Sequence, residues 1–207
     1  MRGRRLILVR HAPAADTAGR CIGWHDVALG DEGREAARTL AGCIAPARVR
    51  VHASDLARAR ETAALLVGAA PPGDAAWREA HFGAWEGRTW AAIEADDASR
   101  LDAWMRDWVA TAPPGGESFA TVVARVGAWL DAHAVATHAD DDARPQLVVA
   151  HAGAIRAALV RSLAIDATRA FAFAVDHLHA WTLELSPTGT TVLRGNVPLP
   201  HALVSDG

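Results

Sequence analysis

A few side chains in this sequence have the type and setting for phosphate chemistry. Arg10 and His11 end one short apolar run, and His151 ends another, Leu147 to Ala150. Arg58 follows Ser54 by about one helical turn, just past a third run. Glu79 lies in an irregular stretch beside tryptophans. Arginine offers phosphate oxygens a rigid fork of donors and keeps its charge. A neutral imidazole can attack phosphorus and form a phosphohistidine, which water then hydrolyses. Such a transfer needs positioning and charge stabilisation more than elaborate covalent chemistry. The leaving alkoxide needs a proton, and Glu79 is the candidate donor.

These residues are useful only if the chain brings them together. Arg5 to Val9, Val49 to His52 and Gln146 to Ala150 read as strands, and Leu178 to Leu185 and Thr190 to Leu193 as two more. Helices are expected over Asp31 to Leu40, closed by Gly42, and from an Asp55 cap to about Val67. Two further segments are expected near Trp90–Ala95 and Arg100–Val109. Phe119, Val122, Val123, Val126 and Leu130 share one helical face behind a Ser118 cap, and Gly153 to Leu163 is also helical. Alternating strands and helices imply a three-layer α/β/α fold with a mostly parallel central sheet. Ligands of such sheets bind at the carboxyl ends of the strands, where Arg10, His11, Arg58 and His151 fall. One domain is expected over residues 1–207, with a helical cap-like insertion around residues 85–116.

Bulk properties narrow the partners. The net charge is −3 and hydrophobic residues make up 51% of the chain, which disfavours a nucleic-acid or anionic-membrane surface. The apolar run Leu6 to Val9 is too short for a signal-peptide core or a membrane span. Two cysteines, Cys21 and Cys43, and no CxxC fit a reducing, cytoplasmic setting.

In order along the chain, several stretches resemble the histidine phosphatase superfamily, the phosphoglycerate mutase-like fold. Leu8-Val9-Arg10-His11 is similar to its opening signature. Gly23 through Leu29 resembles Gly-x-x-Asp-x-x-Leu, with Asp26 and Leu29 in place. Ser54 through Ala63 resembles Ser-x-Leu-x-Arg-Ala-x-x-Thr-Ala, and Glu79 through Gly87 resembles Glu-x-x-Phe-Gly-x-Trp-Glu-Gly. Gly115 through Ser118 and Val149 through Gly153 match the remaining motifs. The resemblance implies that His11 is the phosphorylated nucleophile, that Arg10, Arg58 and His151 hold the phosphoryl oxygens, and that Glu79 is the proton donor and later the base. It also implies substrate contacts at Gly23 and Ala152, with no cofactor and no metal. The substrate is then a small-molecule phosphate ester. Pro13 with Cys21, Gly23 and Asp26 resembles the alpha-ribazole phosphatase branch.

There are two departures from the pattern. Ala12 replaces the family glycine after the nucleophile, at a cost on the order of 1 kcal/mol if the backbone there needs positive φ. Ala14 replaces a frequent threonine. Rival readings are a phosphoglycerate mutase-type phosphotransferase, a phosphate-binding module with little turnover, and a metal hydrolase using His177 and His179 on one strand face. The short segment between Glu79 and His151 favours hydrolysis over mutase chemistry. Trp85, Trp90, Trp104 and Trp108 either line a pocket or pack. Arg60 is expected to be solvated, Glu86 to buttress its loop, and His133, His138 and Asp140 to Asp142 to be exposed. A nucleophilic His11 and a proton-donating Glu79 together imply a bell-shaped pH–rate profile.

Overall fold

The strand runs and the helical periodicities both find their place in the computed structural model, which describes residues 3–133 and 144–203. Strands β1 (Arg4–Arg10), β2 (Arg50–Ser54), β3 (Gly73–Asp74), β4 (Gln146–Ala150), β5 (His179–Ser186) and β6 (Gly189–Pro198) form one sheet of order β3-β2-β4-β1-β5-β6. The pairs β1–β4, β2–β4 and β2–β3 are parallel, whereas β5 runs antiparallel to both β1 and β6. The fold is therefore α/β with a mostly parallel sheet.

The central strands are apolar on both faces because both faces are covered. Leu6 and Leu8 of β1 and Val148 and Ala150 of β4 pack among Trp129, Leu130, Ile155 and Leu159. The latter residues come from α4 (Phe119–His133) and α5 (Ala152–Ser162). Ile7, Val9, Leu147 and Val149 point the other way, onto Ala59, Ala63 and Leu66 of α2 (Ala57–Val67). Helix α1 (Asp31–Thr39) packs beside α2, and a short α6 (Leu199–Ala202) completes that side.

Two local expectations change. Asp55 does not cap α2. Its carboxylate is engaged by Arg78 through two hydrogen bonds of 2.7 and 2.6 Å, and the first-turn N–H of Ala57 donates instead to Asp26 Oδ1 at 2.7 Å. The two segments expected after Trp90 form a single α3 (Trp90–Arg106), broken at Asp97, whose backbone is non-helical (φ −142°, ψ 32°). Asp97 there accepts from Trp85 Nε1 at 2.9 Å and pairs with Arg100. The Thr89 side chain caps this helix, and Ser118 Oγ accepts from Thr121 N at the start of α4. Arg60 and His133 are exposed, while His138 and Asp140 to Asp142 lie outside the described residues. No helix among the described residues is long and apolar enough to cross a membrane.

Candidate active site

Register brings the two histidines together. In the parallel β1–β4 ladder Arg10 pairs with Ala150, so His11 and His151 occupy the next level, just past the strand ends. The His11 N–H continues the ladder to Ala150 O at 2.9 Å, and the two rings lie 4.9 Å apart. The β2 end delivers α2, whose first turn aims Arg58 at the same point. Its guanidinium is buried and donates to Gly23 O (2.7 Å) and His25 O (3.1 Å), which fixes it against the loop after β1. Arg10 is held by Val175 O, to which its Nη1 donates at 2.6 Å.

A carbonyl can only accept, so the 2.7 Å contact between His11 Nδ1 and Ala12 O means that Nδ1 carries the proton. In the neutral ring the lone pair is then on Nε2. Burial pushes the His11 pKa well below its usual value, and the Arg58 charge adds to the shift. The same two causes, in the same order, lower His151. His177 also lines the cleft. Its Nδ1–H donates to His11 O at 2.7 Å, and burial and then Arg10 lower its pKa. The strand spacing expected for His177 and His179 does not hold. Strand β5 starts at His179, and Leu178 between them has φ +58°, so the two rings share no strand face. No group of three or more potential metal ligands occurs among the described residues.

Glu79 is aimed by backbone donors. Its Oε1 accepts from Ala80 N at 2.9 Å and its Oε2 from Gly153 N, in the first turn of α5, at 3.1 Å. Its own carbonyl is gripped by Trp24 Nε1 (2.7 Å) and Arg125 Nη2 (2.9 Å). Trp24 lies against the Arg78 guanidinium and stacks with the His81 ring, and Arg125 is paired with Glu117. Glu86 buttresses the loop, accepting from Trp24 N and Phe82 N. Gly83, at φ +55°, lets this loop press on the Pro113–Gly116 turn, where Ala84 N reaches Pro114 O at 2.9 Å.

These groups face a cleft of about 360 Å³. Arg10, His11, Arg58, Glu79 and Ala152 line it. His151 is fully buried behind His11, and neither of its ring nitrogens has a protein partner among the described residues. Gly23 does not reach the cleft wall. Its carbonyl orients Arg58, and a Cβ there would run into Ala80 O and Glu86. Trp90, Trp104 and Trp108 form an aromatic wall with Phe82 and Phe119, whereas Trp85 is wholly buried packing. Ala12 is buried with no positive φ, so the backbone cost anticipated for it does not arise.

The arrangement can offer a phosphoryl group a neutral imidazole, two guanidinium groups and a carboxyl group on one cleft. A family model described as the histidine phosphatase superfamily (branch 1) matches residues 6–198. The chain belongs to that superfamily. It is 38% identical over 167 residues to a glucosyl-3-phosphoglycerate phosphatase of Mycobacterium tuberculosis (strain CDC 1551 / Oshkosh), covering 76% of this chain and 74% of that one. It is 32% identical over 177 residues to an adenosylcobalamin/alpha-ribazole phosphatase of Salmonella typhimurium, covering 83% and 86%. The crystal structure of the alpha-ribazole phosphatase from Shigella flexneri superposes with a TM-score of 0.83 at 25% identity, covering 98% of this chain and 100% of that one. As a histidine phosphatase with phosphatase relatives, the protein is a phosphoester hydrolase.

Sequence reasoning missed Arg156, Arg20 and Phe171, all of which line the cleft. Arg156 had a usable signal. It lies one helical turn after Ala152, on the face of α5 that opens to the site. Trp24 and Arg125 had none, since their role is to hold a loop remote in sequence.

Proposed function

We propose that the protein hydrolyses small-molecule phosphomonoesters through a phosphohistidine formed on His11 Nε2. Arg10 and Arg58 hold the phosphoryl oxygens, and buried His151 lies ready to contact them. The Nε2 lone pair attacks phosphorus while the bond to the ester oxygen breaks and Glu79 gives that oxygen its proton. Water then attacks the phosphohistidine, Glu79 takes a proton from it, and His11 is released with inorganic phosphate. No step calls for a metal. The observation that carries this reading is the His11 Nδ1–H bond to Ala12 O, which leaves Nε2 unprotonated between two arginines and a carboxyl group.

The substrates named for the relatives, glucosyl-3-phosphoglycerate and alpha-ribazole phosphate, are the first metabolites to assay. The wall of Phe82, Trp90, Trp104 and Trp108 offers a stacking face to a sugar ring or a heterocycle. The helical segment Trp90–Arg106 and the turn at Pro113–Gly116 act as a cap that shapes this wall. The deciding test is hydrolysis of 4-nitrophenyl phosphate in chelator by the native protein and by His11→Ala. We expect turnover by the native protein and a loss of at least about a thousandfold in the variant. Equal rates would show that the nucleophile lies elsewhere.

A further inference from the structure

A further imidazole stands at the cleft beside the nucleophile. His177 lines the cleft, and its ring centroid lies 5.1 Å from that of His11 at an interplanar angle of 61°. Its Nδ1–H is committed to His11 O at 2.7 Å, which leaves the lone pair of the neutral ring on Nε2. Among the described residues no group hydrogen-bonds to that Nε2. The segment carrying the ring is held at several points. Arg10 Nη1 donates to Val175 O at 2.6 Å, Asn196 Nδ2 to Asp176 Oδ2 at 2.8 Å, and Leu178 N to Arg10 O at 3.0 Å. Leu178 takes φ +58°, a conformation that side chains rarely adopt, and the turn it makes leaves His177 outside β5 and at the cleft wall. His11 and His151 are buried, whereas His177 is half-buried, so it is the imidazole that solvent protons reach.

A phosphoryl dianion needs charge-assisted donors around its oxygens. His11 cannot be one of them, because its Nε2 must keep a lone pair to attack. Both guanidinium groups already direct donors to carbonyls, Arg10 to Val175 O and Arg58 to Gly23 O and His25 O. Resting on the phosphatase reading above, we propose that His177 is a further catalytic residue, whose Nε2 takes a proton from solvent as the dianion binds and hydrogen-bonds through it to a phosphoryl oxygen. No bond to phosphorus changes in this step, and the proton returns to solvent when inorganic phosphate leaves. On β1 the ring faces Arg10 and His11, and its own segment carries Asp176 and His179. Arg58, Glu79 and Arg156 line the rest of the cleft. While the cleft is empty, partial burial and then the Arg10 charge oppose protonation, and His11 O and Asp176 favour it. An entering dianion offsets the arginine charge and reverses that balance.

The test uses tungstate, a tetrahedral dianion whose charge is fixed near neutral pH, and the variant His177→Asn. The asparagine amide can replace Nδ1–H at His11 O but places nothing at Nε2. Calorimetric binding in two buffers of different ionisation enthalpy counts the protons taken up. At about pH 7 the variant should take up fewer than the native protein, by about half a proton or more. Its tungstate affinity should match the native one within about twofold at about pH 9 and fall about tenfold short at about pH 6.5, because the charge on bound-state His177 forms as pH falls. Nitrogen-resolved NMR of the native protein should show His177 Nε2 unprotonated in the empty cleft and protonated with tungstate at about pH 7. Equal proton uptake in both proteins, or an Nε2 that tungstate leaves unchanged, overturns the proposal and moves the proton elsewhere. An affinity loss that is the same at every pH also overturns it and leaves His177 as a brace for the His11 backbone. So does a native protein that hydrolyses 4-nitrophenyl phosphate without binding tungstate. If the native protein does neither, the phosphatase reading itself fails and this proposal with it.

Discussion

At His11, one hydrogen bond sets the tautomer and burial sets the charge. Because burial and then Arg58 lower its pKa well below 6.5, the ring stays neutral into mildly acidic solution. Nitrogen-resolved NMR should therefore find His11 neutral at about pH 6, where an ordinary histidine is mostly protonated. A midpoint near the ordinary value would remove the basis for a standing nucleophile. The neighbouring Ala12 is a second case. Its N–H donates to Thr62 Oγ1 at 3.0 Å, its side chain is fully buried, and its φ is not positive, so alanine costs nothing there. Restoring glycine at this position, Ala12→Gly, should leave kcat within about twofold and lower stability by about 0.5–1 kcal/mol in thermal melts. A large gain in kcat would mean that the turn must flex during the reaction.

At the level of elements, the site is a junction of α5 with the Trp77–Glu86 loop. Gly153 lies so close to Glu79 that an added Cβ would land on Oε1. The variant Gly153→Ala should keep the fold, since the obstacle is a side-chain end, but displace the carboxyl that we propose as the proton donor. Its kcat/KM should drop on the order of a hundredfold for alkyl phosphates, which need a proton donor. The loss should be small for 4-nitrophenyl phosphate, whose leaving group departs unaided. A uniform loss across leaving groups would argue against Glu79 as the donor. Both helices flanking the site were legible from period and composition, as were the ends of β1 and β4. The Asp55 cap was misread because capping residues and ion-pair partners look alike in sequence. Only folding brings Arg78 within reach of Asp55 and Asp26 within reach of α2.

For the molecule as a whole, imidazoles withdrawn from solvent are a liability in acid. His11, His151 and His177 all have folded-state pKa values below the unfolded 6.5, each first through burial. Below that pH the unfolded chain binds protons that the folded chain refuses, so stability present above 6.5 is lost as pH falls toward the folded-state values. The melting temperature should decline between about pH 7 and about pH 5, and the variant His151→Asn should flatten that decline. An unchanged slope in His151→Asn would leave the acid sensitivity with the other groups, His11 and His177 among them.

The sequence alone determined the layered fold, because a strand buried on both faces must be apolar throughout, as Leu6 to Val9 and Leu147 to Ala150 are. It also determined the candidates at strand ends, because a parallel sheet collects those ends along one edge. Tertiary structure alone decided which atoms face the cleft. Parallel register set His11 beside His151, a carbonyl chose the protonated nitrogen of His11, and contacts from Trp24 and Arg125 aimed Glu79. Arg156 and Phe171 joined the cleft the same way, through side-chain directions that depend on how α5 packs. Such contacts link residues tens of positions apart, and no local period or spacing encodes them.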